Sequence, residues 1–229
     1  MGLIVLPANI SDITAVYDVY FAAFKDDIIM HVLYPRGVDA EVRKEHTAKT
    51  LNEWHHITVT HTLKCVDTAR DNVVGMGVWD VYWRGKTEEE RKKPSVPWLQ
   101  GAEKERAEAF LGALWEMREK WLGGRRHVYC ALLAVHPEHQ KRGIGKLLMD
   151  WGLDIGEKLQ LPVYLESTRA GVPLYTKLGF ERLPQGALLK AEVTHFASDV
   201  EIPLMAKMPS AARGMIFEEW AQKGYPLFG

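Results

Sequence analysis

Cysteine is scarce in this sequence: Cys65 and Cys130 are the two among 229 residues. Each stands inside an apolar segment, so both read as buried, reduced thiols. That excludes a disulfide-stapled scaffold and a four-cysteine zinc site. No run approaches the ~18 apolar residues of a membrane-spanning helix. The net charge is −1, which lacks the basic excess of a nucleic-acid binder. Repeats and low-complexity tracts are missing too, which excludes a solenoid. The opening "MGLIVLPANISD" has no basic segment ahead of its short apolar run, and Leu6 breaks the myristoylation pattern. The expectation is a cytoplasmic protein, the nucleus left open, with neither membrane nor nucleic acid as partner.

What is present suits a packed α/β domain. Hydrophobic residues make up 47% and charged residues 26%, an ordinary balance for a globular core. "GLIVLPA" reads as a strand, and Ser11-Asp12 caps a helix carrying Ile13, Val16, Tyr17, Tyr20 and Phe24 at helical spacing. "YPRGVD" is a turn, and residues 39–56 form a second helix. "ITVTHTLKCVD" and "NVVGMGVWDVYW" alternate as strands around a polar turn at Arg70-Asp71-Asn72, a hairpin. Residues 85–126 break the pattern with a charged, proline-bearing loop and an amphipathic helix that stops at Gly123-Gly124. Strand "HVYCALLAVHP", helix "GKLLMDWGLDIGEKL", strand "PVYLEST", short helix "PLYTKLG" and strand "FERL" follow. "VEIPLMAKM" is the last strand, and a helical tail occupies about 210–229. The expectation is one mixed α/β domain over 1–229 with an insertion at about 85–126.

Between the strand "AVHP" and its helix lies "EHQKRGIG". Strand, glycine turn and helix in succession make an anion site, because a helix's first N–H groups have no internal partner and its dipole is positive there. Lys141 and Arg142 add charge beside Gly143 and Gly145. A Walker A loop would need glycine where Gln140 stands and Ser or Thr where Leu147 stands. A dinucleotide fingerprint would need glycine at Leu148. Both fail, and a phosphorylated ligand of another kind remains.

The surviving pattern, Gln-x-x-Gly-x-Gly after such a strand, resembles the GNAT superfamily of acyl-CoA-dependent N-acetyltransferases. The likeness runs over about 128–182 and includes "GVPLYTKLGFER" downstream. It implies a GNAT-like fold: a central mixed, mostly antiparallel sheet with splayed parallel strands and flanking helices. It also implies that Gln140, Lys141, Arg142, Gly143, Ile144, Gly145 and Lys146 surround the pyrophosphate of acetyl-CoA. The backbone of Leu133, Ala134 and Val135 would pair with the pantetheine arm, as a peptide adds to a sheet edge.

Acetyl transfer to a lysine-like amine, whose pKa is near ~10.4, needs a base for the ammonium proton and an acid for the departing thiolate. The Val135 N–H would polarise the thioester carbonyl. By the same resemblance Tyr175 is the acid, with packing between helix and sheet as its structural alternative. Glu166 leads as base, with Asp80 and His136 as rivals. Trp79, Tyr82 and Trp83 are either an acceptor wall or core. Asp26 and Asp27 are either an attraction for a cationic amine or a helix cap.

His136 and His139, and His55, His56 and His61, match no zinc spacing, so no metal is expected. The insertion either covers the acceptor or makes a homodimer contact. The function implied is N-acetyl transfer from acetyl-CoA to a primary amine of a small molecule or peptide. A non-catalytic acyl-CoA sensor on the same fold is the alternative from another class, and a longer-chain acyltransferase a further one.

Overall fold

The structure, a computed structural model, describes residues 2–56 and 58–228, apart from the side chains of Glu53, His55 and His56. The side chains of His55 and His56, weighed for metal binding, and Ile57, expected in the second strand, therefore lie outside what is described. In chain order the elements are β1 (Leu3–Pro7), α1 (Ile13–Ala23), α2 (Ile28–Leu33), α3 (Ala40–His56), β2 (Thr60–Asp67) and β3 (Asn72–Tyr82). Next come α4 (Gly101–Trp121), β4 (His127–Val135), α5 (Ile144–Leu159), β5 (Val163–Glu166), α6 (Val172–Lys177) and β6 (Glu181–Arg182). The chain ends with β7 (Ala187–Leu189), α7 (Ala191–Thr194), β8 (Val200–Ile202), β9 (Leu204–Lys207) and α8 (Phe217–Gln222). Two compact units divide these residues. One holds Met1–Val81 and Cys130–Leu153; the other holds Tyr82–Tyr129 and Asp154–Gly229.

In the first unit the strands lie in the order β1-β2-β3-β4. β1 and β2 are antiparallel, with Leu3 opposite Asp67 and Pro7 opposite Leu63. β2 and β3 make the expected hairpin, with a register shift between Cys65 and Val66. Its turn needs a left-handed residue, supplied by Asp71 at φ 51°. Val16, Val19, Tyr20 and Phe21 of α1 pack with Met30, Met76 and Ala134 into one core cluster.

α5 approaches β3 closely because two glycines remove the side chains that would hold it off. A Cβ on Gly75 would stand 2.6 Å from Ile144 Cγ2, and one on Gly152 would stand 2.2 Å from Trp79 Cζ3. Trp79 is 0% exposed as a result. A helix-interior glycine costs about 1 kcal/mol relative to alanine, whereas loss of a buried large aromatic costs about 3–5 kcal/mol. Burial of the ring wins.

The second unit carries the strand order β4-β5-β9-β6, its share of β4 being the three residues before Cys130, and a separate β7-β8 ribbon. β5 and β9 are antiparallel from Val163 opposite Lys207 to Glu166 opposite Leu204, and β6 pairs with β9 in the same sense. The two units thus contain the mixed α/β, mostly antiparallel strand set expected, seven strands in the main sheet and two in the ribbon among the described residues. α4 buries Ala107, Phe110 and Leu114, and Gly123 and Gly124 end it in left-handed conformation.

Three local expectations are corrected. The first helix is introduced by Asn9, not by Ser11-Asp12: the Asn9 side chain accepts from the Ser11 N–H, and Asp12 accepts from the Asn9 N–H. Ile28–Leu33, to which the sequence assigned no element, form α2, which Asp27 caps by accepting the Ile29 N–H at 3.0 Å. The last strand is two, β8 and β9, because Pro203 has no N–H to give the ladder.

No helix among the described residues is long and apolar enough to cross a membrane. Neither cysteine forms a disulfide among the described residues, and both are buried.

Gly152→Ala forces the Trp79 ring out of its seat and destabilises the protein by about 1–3 kcal/mol. Chemical denaturation checks this; a change below about 0.5 kcal/mol would mean the ring has room to move.

Candidate active site

The glycine turn lies wholly in the first unit. β4 ends at Val135, the His136 N–H donates to the Val74 carbonyl at 3.0 Å, and a short 3-10 turn covers Pro137–His139. Lys141 and Gly143 then take φ values of 60° and 82°. The Leu147 N–H donates to the Gly143 carbonyl at 3.1 Å, so the N–H groups up to Lys146 lie ahead of the α5 hydrogen-bond ladder.

A Cβ on Gly143 would meet nothing within 4 Å. Packing therefore does not exclude a side chain there. The left-handed backbone does, and it leaves open space beside the first N–H groups of a 16-residue helix.

Charge around the turn is distributed differently from the sequence expectation. Arg142 donates Nη2–H to Asp67 Oδ2 at 2.8 Å, and its Nη1 lies 2.8 Å from His139 Nδ1. A guanidinium only donates, so His139 Nδ1 is the acceptor. The Asp67 side chain is 4% exposed, and the hydrogen bond from Arg142 holds its carboxyl below the usual aspartate range. Arg142 thus ties the turn to the end of β2.

The Lys146 ammonium bonds Asp150 one helical turn on. Lys141 is exposed, and Gln140 Nε2 donates to the Val135 carbonyl at 3.5 Å. Leu133 and Val135 are half-buried, and Ala134 and Ile144 are buried.

His136, Glu138 and His139 bring their ligand atoms within 4.8 Å of one another. The sequence spacing gave no reason to expect this grouping, which the 3-10 turn creates. His136 Nδ1 accepts the Glu138 N–H at 3.4 Å, and Arg142 engages His139. Asp80, the rival base, accepts the Thr60 hydroxyl at 2.6 Å.

Tyr175 and Glu166 belong to the second unit. Pro173 lies in the first turn of α6, and Gly179 follows its end at φ 83°. Tyr175 is buried, its ring 5.8 Å from that of Phe180.

Glu166, 8% exposed, has partners the sequence did not suggest. Arg118 Nε lies 2.8 Å from its Oε1 as an ion pair, and the Tyr129 hydroxyl donates to its Oε2 at 2.6 Å. The Arg118 guanidinium also covers the Tyr129 ring at 4.7 Å. Burial opposes the charge on Arg118, but the Glu166 carboxylate together with Tyr129, Tyr164 and Tyr82 outweighs it and raises the guanidinium pKa. α4 supplies Arg118, so that helix serves the Glu166 carboxylate.

Of the three aromatics proposed as a wall, Trp79 and Tyr82 are core and Trp83 is exposed. Sequence reasoning passed over Asp67, Arg118 and Tyr129. Asp67 had one faint signal, an acidic residue closing an apolar strand next to a turn.

Comparison with known proteins gives the family. Residues 102–182 match the family described as acetyltransferase (GNAT) domain, which begins one residue inside α4. The probable acyltransferase SID5 of Ajellomyces capsulatus is 59% identical over 143 residues, 62% of this chain and 99% of that protein.

Among solved structures, mosquito arylalkylamine N-acetyltransferase like 5b shares the fold at TM-score 0.61 and 14% identity. The match covers 90% of this chain and 100% of that one. Drosophila melanogaster polyamine N-acetyltransferase gives 0.60 and 13%, covering 90% and 98%. The PaiA N-acetyltransferase of Thermoplasma acidophilum, solved with coenzyme A, gives 0.51 and 15%, covering 91% and 99%. At these identities the structures speak for the fold. The close relative and the family match together show that the chain belongs to the GNAT acetyltransferases, a family of acyltransferases.

The Asp67–Arg142 pair gives a pH-dependent contribution to stability. A carboxyl depressed in the folded state stabilises above the unfolded pKa of about 3.9 and loses that stabilisation as pH falls through the folded value. The stability gap between the native protein and Asp67→Asn is therefore present at about pH 7 and closes below about pH 4. Denaturant titrations across that range check it; a gap unchanged at low pH would mean the charge is not responsible.

Proposed function

We propose that the protein transfers an acetyl group from acetyl-CoA to a primary amine of a small molecule or peptide, directly, with both substrates bound. The observation that carries this reading is the open backbone at Gly143. Unpaired N–H groups at the head of α5 stand beside space that no side chain fills. Those groups, with the exposed Lys141, suit the doubly charged pyrophosphate of CoA. The solved neighbour bound to coenzyme A supports the same cosubstrate. Arg142 acts here as the tether that fixes the turn rather than as a free phosphate ligand, because Asp67 and His139 engage it.

In this mechanism the backbone of Leu133, Ala134 and Val135 holds the pantetheine arm, and the Val135 N–H polarises the thioester carbonyl. Glu166 receives the proton of the incoming ammonium, directly or through water. A carboxylate has about four lone-pair sites, and the contacts from Arg118 and Tyr129 leave others for that purpose. The amine forms the new C–N bond, the C–S bond breaks, Tyr175 gives its phenolic proton to the departing thiolate, and the proton that the nitrogen sheds on becoming an amide returns to the tyrosine oxygen. CoA and an N-acetylated amine leave.

Gly145→Glu places a carboxylate among the N–H groups meant for pyrophosphate. It abolishes the thermal stabilisation that acetyl-CoA gives the native protein, about 2.7 kcal/mol at 100 times the dissociation constant. Retained stabilisation in that variant refutes the cradle.

Tyr175→Phe lowers turnover by about 10²-fold or more with little change in acetyl-CoA affinity. Thiol release with an amine substrate is the readout, and unchanged turnover assigns Tyr175 to packing alone.

A further inference from the structure

A cavity of about 330 Å³ lies in the second unit, in the size range of small-molecule sites (about 300–1,000 Å³), and none of the described residues lining it has an acidic side chain. Three arginines, Arg84, Arg125 and Arg126, stand around it, and Trp220, Tyr225 and Phe228 give it an aromatic side. None of these belongs to the glycine turn, and neither Tyr175 nor Glu166 lines it.

The arginines differ in how far they are engaged. Arg84 is paired with Glu90 at 3.0 Å. Arg125 lies over the Tyr225 ring at 3.6 Å and donates to the Leu122 carbonyl at 3.0 Å. Arg126 is exposed and has no hydrogen-bond or ion-pair partner among the described residues. Gln160 also lines the cavity, and its Oε1 is buried without a hydrogen bond. An amide turned over presents its N–H2 instead, so this side chain can serve a ligand in either sense.

The aromatic side is fastened in place. Trp220 Nε1 donates to the Pro226 carbonyl at 2.8 Å, and its ring lies 4.9 Å from Tyr225, edge on, and 6.4 Å from Phe228, stacked. Guanidinium groups with no lining acid favour an anion, and a planar, bidentate one most. Fixed aromatic rings favour a flat apolar body. A solvated patch of surface arginines would need neither the rings nor the cavity.

We propose that this cavity is a second ligand site, separate in its residues from the acetyl-transfer machinery, and that it takes a small aromatic monocarboxylate. The carboxylate is recognised by Arg126, with Arg125 beside it, and the ring by Trp220, Tyr225 and Phe228.

Calorimetric titration of the full chain with 2-naphthoate and with uncharged 2-naphthamide tests this. The acid binds with a dissociation constant of about 1 mM or lower, and the amide at least about tenfold more weakly, as loss of a charged hydrogen bond requires. Arg126→Ala, an exposed position whose folding is checked by its melting temperature, weakens the acid by about tenfold and leaves the amide unchanged. It also leaves the stabilisation by acetyl-CoA unchanged. Equal binding of acid and amide, binding of neither, or an unaltered acid affinity in Arg126→Ala overturns the proposal.

Discussion

The turn between β4 and α5 keeps its shape because one buried carboxylate holds one guanidinium. Asp67 closes β2 with almost no exposed side chain, and a charge so placed is costly unless it is paired and hydrogen-bonded. Arg142 supplies the pair, and the Ala69 N–H supplies a further hydrogen bond to the same carboxylate. Because the guanidinium reaches β2, the residues on either side of it have little choice of conformation. Lys141 and Gly143 take left-handed backbone, and a Cβ at Gly143, just ahead of α5, would have open space around it. The tether uses a cation that a reading of charge alone would have given to the ligand.

The same economy of partners governs the second unit. Glu166 and Arg118 are both withdrawn from water, and an ion pair so buried holds together only when its remaining valences are met. Tyr129 meets one by hydrogen bond and also lies under the guanidinium. α4 is thereby tied chemically to the strand that bears the candidate base. The family match includes nearly all of α4, which fits a helix with work inside the domain. Residues 85–100, ahead of that match, are fastened to what flanks them, Glu90 to Arg84 and Arg91 to Glu119 of α4.

Packing of α5 shows how glycine choice and core formation interlock. Gly75 and Gly152 are expensive by propensity, yet each removes a Cβ that would strike Ile144 or Trp79. The ring of Trp79 fills the space made by Gly152, and Trp151 lies 6.2 Å from it on the same helix. The aromatic strand "GVWDVYW" was therefore mostly core, as strands of that composition tend to be, and only Trp83 remains outside.

By itself the sequence determined the period of nearly every long element, the hairpin, the glycine turn and the short helix around Tyr175. These depend on neighbours in the chain: alternation for strands, three-to-four spacing for helices, glycine where φ turns positive. It also carried the family, because the turn and "LYTKLGF" are local patterns with a fixed spacing. Tertiary structure alone decided which polar side chains are spent on each other. Asp67 meets Arg142 across 75 residues, and Tyr129 meets Glu166 across 37. Neither pairing has a period to betray it, since ion pairs form wherever folding happens to bring opposite charges out of water together. The short β8 and β9, divided by Pro203, and α2, held by one aspartate cap, escaped for a related reason. Their length is too small for periodicity to show, and their stability comes from what they pack against.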